Sequence, residues 1–158
     1  GGREQGQART VPRAPGGDPV TTLPVHWLTP LGATFAVDGR MVMLPVGEMW
    51  DVVKTPAPLA MPVLERLLAA PEDAAQLGPV LFDARRELLY WLVSPGASDD
   101  YPPHATLLTA GAWIAAPLPW GEPLRDACWL HLPQDPIVTG PAWLSAAFDG
   151  HGLFGVAA

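Results

Sequence analysis

Lysine is almost missing from this 158-residue chain: Lys54 stands alone beside eight arginines. Together they make 9 basic residues against 16 acidic ones, a formal net charge of −7. That balance argues against a surface that tracks phosphates, because non-specific nucleic-acid binding feeds on positive charge. Cysteine is scarce as well. Cys128 is the only one, so no intrachain disulfide framework exists. No apolar run approaches the roughly 20 residues of a membrane span. The first twenty residues carry Arg3, Arg9 and Arg13 and lack the apolar centre of a secretory leader, so the expected location is the cytoplasm. What the chain has in quantity is proline (20), glycine (16) and hydrophobic residues (49%). The first two argue against a helical bundle or coiled coil. The third is enough to build one core without disulfides or metal.

Residues 1–20 are rich in Gly, Pro, Arg and Gln and are expected to form a mobile N-terminal arm. A single domain is expected over 21–158. Its signals are short and mostly β. Val25–Leu28 and Thr34–Val37 are β-prone, and Asp38-Gly39 is a turn dipeptide suited to a hairpin between 33–37 and 40–46. Residues 50–55 read as a strand stopped by Pro56 and Pro58. Ala60, Val63, Leu64, Leu67 and Leu68 then recur at helical spacing, predicting a helix that ends near Ala70 with Pro62 in its first turn. Residues 71–78 read as a polar linker. Pro79–Asp83 and Glu87–Val93 predict a hairpin about 84–86, and the apolar second arm predicts a central strand. Residues 94–104 read as a loop, 112–116 and 127–132 as strands, and 141–148 as a helix stopped by Gly150. The expected class is α+β, with a mixed, mostly antiparallel sheet of six or seven strands and about two flanking helices.

The chemistry-bearing residues are sparse. Asp51 is the one acid in a strand-like, apolar setting. A two-metal site on a strand needs a second acid two residues on, so that both point to one face. That position is Val53, and Lys54 and Pro56 follow. Glu48, Asp83, Asp99, Asp100 and Asp126 fall in turns or loops and read as solvated. Cys128 and His131 form a single C-x-x-H, which a regular strand places on opposite faces. Neither a zinc site nor a Cys–His dyad is expected there, and Cys128 reads as a small buried hydrophobe. No serine lies in a nucleophile elbow, and no glycine pattern matches a phosphate loop. The seven tryptophans have aliphatic rather than basic neighbours, which favours core packing or a protein interface over base stacking. Trp120, in Leu118-Pro119-Trp120 of a Pro/Gly-rich connection, is the best interface anchor.

Three stretches taken in order carry a resemblance. They are Leu44–Pro56 with the helix after it; Gly78–Asp83 with Leu88–Gly96; and Gly111–Pro117 with Cys128-Trp129-Leu130. Together, over roughly residues 40–135, they resemble the N-terminal domain of bifunctional DNA primase/polymerases. The likeness is strongest to the short, divergent versions of streptomycetes, and the Arg-, Ala-, Gly- and Pro-rich composition suits such a GC-rich actinobacterial source. The resemblance implies a strand with two alternating metal-binding aspartates, a histidine on a following strand that meets nucleotide phosphates, and a later strand packed beside them. In this chain Lys54 and Pro56 stand at the aspartate positions and Leu88 at that of the histidine. Asp51 precedes the pair. The scaffold is thus expected to persist in degenerate form without polymerase activity, since phosphoryl transfer needs divalent metal. No catalytic, metal or cofactor residue carries over. Asp51, Lys54 and Asp83 are what remains of a site.

The leading expectation is therefore a non-catalytic, primase-polymerase-like domain that binds another protein through the loop 117–126, above all through Leu118, Pro119 and Trp120. An alternative is an active nucleotidyltransferase or nucleotide binder with a rearranged metal site, using Asp51 with Asp83 or Glu48. A third is an unrelated enzyme or binder of small molecules, which a concave cavity with convergent polar groups would favour.

Overall fold

The structure, a computed structural model, describes residues 35–36, 41–96, 101–117, 126–135 and 137–150. It is α+β, in three layers. A five-stranded sheet lies in the middle, helices cover one face, and a three-stranded sheet covers part of the other. The elements run β1 (Phe35–Ala36), β2 (Met41–Pro45), β3 (Asp51–Pro56), α1 (Ala57–Ala69), α2 (Pro71–Ala74), β4 (Val80–Asp83), β5 (Leu88–Val93), β6 (Thr106–Leu108), β7 (Trp113–Pro117), β8 (Ala127–His131) and α3 (Pro141–Gly150). The central sheet has the order β6-β3-β5-β4-β8 and the smaller one β1-β2-β7. Every strand pair is antiparallel, and one isolated parallel bridge joins Val93 to Thr139.

Alternation along the strands explains the layering. Val53, Val80, Leu89, Trp91 and Val93 point to the helices and meet Ala60, Val63, Leu64 and Leu67 of α1 and Leu144 and Phe148 of α3. Val52, Leu81 and Leu92 point the other way and meet Leu44, Val46, Trp50, Ile114 and Ala116. The expected β5 is indeed central and its hairpin with β4 is present, as is antiparallel pairing of β1 with β2. The apolar stripe of α1 is buried as its spacing predicts, with Glu65 and Arg66 exposed.

Several expectations need correction. The strands form two sheets rather than one, and there are eight of them among the described residues. β7 and β8, adjacent in sequence among the strands, belong to different sheets. Pro62 is not in the first turn, because α1 begins at Ala57. It is tolerated because Pro62 and the residue four before it, Pro58, both lie on the exposed side, where a carbonyl without a helical partner can be hydrated. The linker 71–78 contains the short α2, and β6 arises in a stretch without a strand signal. Glu87 belongs to the β4–β5 turn, at φ 57°, and β5 starts at Leu88. Gly150 ends α3 from within. The arm 1–20, the piece 25–28, the turn Asp38-Gly39 and the loop residues Leu118, Pro119 and Trp120 lie outside the described residues.

Two close approaches fix the frame. A Cβ on Gly78 would come within 2.6 Å of the Val138 Cα, and one on Gly47, at φ +106°, within 2.6 Å of the Ala110 nitrogen. Glycine is required at both places. The Gly78 N–H also donates to the buried Thr139 Oγ1 at 2.8 Å.

Candidate functional site

The three-stranded sheet does not reach the end of the central one. Where it stops, a cleft of about 300 Å³ opens. The register sets its floor. Thr106, Lys54, Tyr90 and Leu81 stand side by side across β6, β3, β5 and β4, and Pro56, Leu88 and Asp83 form the next row. These rows continue the same face that carries Val52 and Leu92 into the core between the sheets. Lys54, Leu88, Tyr90, Asp83, Arg86 and Leu108 line the cleft from the central sheet and its turn; Met43, Trp113, Ile114 and Ala115 line it from the smaller sheet.

One half of the polar lining is satisfied internally. Asp83 accepts from the Arg86 backbone N–H at 3.2 Å, from Arg86 Nη1 at 3.0 Å and from the Tyr90 hydroxyl at 3.2 Å. Burial pushes the Asp83 carboxyl up, but these hydrogen bonds and the guanidinium charge outweigh it and hold the carboxyl below its ordinary value. Burial and the adjacent carboxylate push the Tyr90 hydroxyl up to about 12, so it remains a donor at neutral pH. Lys54 is the other half. It is half-buried and makes neither a hydrogen bond nor an ion pair among the described residues.

Of the sequence candidates, Lys54 and Asp83 are brought together and Asp51 is not. Asp51 pairs with Val93 while Asp83 pairs with Leu88, at the opposite end of β5. Asp51 also points to the helix face, with Val53, and its Oδ2 accepts the Gly96 N–H at 3.0 Å. A site built on Asp51 with Asp83 is therefore divided by the sheet itself. Glu48 is exposed in the bend before β3.

Nor does the cleft suit a divalent cation. Its one carboxylate is already engaged, Lys54 adds positive charge, and Pro56 and Leu88 offer no donor. Among the described residues no group of three His, Cys, Asp or Glu is placed to hold a metal ion.

The C-x-x-H pair behaves differently from a regular strand. Pairing slips between Val80 and Leu81, so His131 faces Val80 while Trp129 faces Leu81, and Leu130 is the extra residue of a bulge. Cys128 and His131 then register with Phe82 and Val80, which share one face, so the expectation of opposite faces fails. They are nevertheless not hydrogen-bonded to each other. Burial pushes the His131 imidazole down, partly offset by its bond to the Leu77 backbone, and burial pushes the Cys128 thiol up. A protonated thiol beside a neutral ring is not a nucleophilic dyad.

Arg86 and Tyr90 escaped the sequence reading. Both had a signal. Tyr90 carries the one hydroxyl in the apolar run of β5, and Asp83-x-x-Arg86 has the spacing of a side-chain-capped turn. No helix among the described residues is long and apolar enough to cross a membrane. No protein-family model, curated protein or solved structure matches the chain.

Proposed function

We propose that this chain is a non-catalytic, primase-polymerase-like domain that acts by binding a partner, most simply another protein. One juxtaposition carries the reading. Pro56 and Leu88, which the resemblance places at a metal-binding aspartate and at the phosphate-contacting histidine, are direct neighbours across β3 and β5, and Lys54 is two residues from Pro56 on the same face. Positions that a polymerase would need side by side are thus side by side, and they hold an ammonium, an imino-acid ring and an aliphatic chain. Such a set cannot offset a triphosphate through bound metal. The acidic net charge supports a protein partner over nucleic acid. The interface residues in this reading are Leu118, Pro119 and Trp120.

Thermal melting with magnesium or manganese and a nucleoside triphosphate tests the loss of the ancestral chemistry. The expected result is no rise in Tm at millimolar ligand; a rise, which specific binding produces by mass action, favours the nucleotide-binding alternative. Affinity capture with the native chain and with Trp120→Ala tests the loop. Proteins recovered with the first bait and lost with the second support it, and recovery of the same proteins with both removes it.

A further inference from the structure

We infer that the cleft around Lys54 is a binding site for a small organic monoanion, a carboxylate carried on an apolar body. Lys54 lines the cleft floor and makes neither an ion pair nor a hydrogen bond among the described residues. Its neighbour across the sheet, Tyr90, is turned to Asp83, and Asp83 is neutralised by Arg86. The cleft therefore presents one positive charge that no described residue compensates, beside an Asp83–Arg86 pair that is already closed on itself and leaves no second cation for further negative charge. That pattern matches a single anionic group and disfavours a polyphosphate. Leu88 and Leu108 supply apolar wall beside the charge, and about 300 Å³ accommodates one ring or a short aliphatic chain with its carboxylate. A carboxylate that meets an ammonium inside a cleft gains a charge-assisted hydrogen bond. The site uses none of Leu118, Pro119 or Trp120, so it stands or falls apart from the partner reading.

Lys54 is the only lysine of the chain, which makes the test direct. Acetic anhydride has a single side-chain amine to acetylate, and peptide mass spectrometry separates it from the N-terminal amine. Hydrocinnamate is the probe. Hydrocinnamamide is its neutral twin, acetate is the charge without the body, and tripolyphosphate is the polyanion. At about 10 mM, hydrocinnamate is expected to slow Lys54 acetylation about tenfold, as a Kd of about 1 mM requires, and to leave the N-terminal rate unchanged. The other three are expected to slow it less than about twofold at that affinity scale. Calorimetry with hydrocinnamate should give binding heat with the native chain and with Lys54→Arg, and none with Lys54→Met. Equal protection by the amide, stronger protection by tripolyphosphate, absent protection by the acid, or unchanged heat with Lys54→Met overturns the proposal. Should Lys54→Met fail to fold, the protection measured on the native chain decides alone.

Discussion

The two faces of the central sheet are treated differently. On the helix face three buried polar contacts close within the fold: Trp91 Nε1 donates to Thr55 Oγ1 at 2.8 Å, Gly78 N–H donates to Thr139 Oγ1, and Asp51 receives Gly96 N–H. On the opposite face the apolar seam between the sheets runs out, and beyond it stands a lysine without a partner among the described residues. A face sealed by helices gives little water to a stray polar group, so most are matched from within, His131 Nε2 being a buried exception among the described residues. A face left partly open can keep a charge for something else. The comparison separates stability from function, and each can be broken independently.

The largest effect belongs to the sealed face. Trp91 is fully buried and its ring meets Phe148 edge-on, with centroids 5.3 Å apart. Trp91→Ala is expected to cost about 3–5 kcal/mol in denaturant unfolding. Trp113→Ala, at a ring 47% exposed beside the cleft, should cost less than about 1 kcal/mol. Similar losses at both would erase the distinction. Next comes Thr139→Val, which keeps the shape but leaves the buried Gly78 N–H without its acceptor; a loss of about 1–3 kcal/mol is expected in the same assay.

A smaller contribution comes from pH. The imidazole of His131 is held below its ordinary value, so the unfolded chain takes up the proton first. Its stabilising effect is complete above about pH 6.5 and disappears as the pH falls through the lowered folded value. Melting temperatures recorded down this range should fall less steeply for His131→Gln than for the native chain, and parallel curves would discard the assignment. The smallest effect is at Lys54. Lys54→Met should change unfolding free energy by no more than about 0.5 kcal/mol, since no partner among the described residues is lost. A loss of several kcal/mol there would make Lys54 part of the frame rather than a reserved charge.

Local pattern accounts for what the sequence revealed. The stripe from Ala60 to Leu67, the turn between Asp83 and Leu88 and the apolar run of β5 each depend on neighbours a few residues apart, and each is present. Partner choice between distant strands does not depend on such neighbours. Nothing in 113–117 and 127–131 distinguishes one sheet from the other, so the split into two sheets was not legible. The cleft was hidden for the same reason. Lys54 and Asp83 line one cleft only because β3 and β4 both pair with β5 in one register, and a shift of one residue would send either side chain to the helix face. The bulge at Leu130 reversed the inference about Cys128 and His131 because strand alternation holds only while pairing is regular.

The contact between Gly78 and Thr139 has a kinetic consequence. It joins positions 61 residues apart, and it forms beside the bridge that ties Thr139 to the end of β5. Closing so long a loop is entropically costly until the β4–β5 hairpin offers a surface to dock on. We therefore expect α3 to dock after that hairpin and to undock before it. Slower amide exchange in α3 than in β5 would reverse that order; otherwise a protease acting on the native molecule finds its first opening where the last piece was fastened.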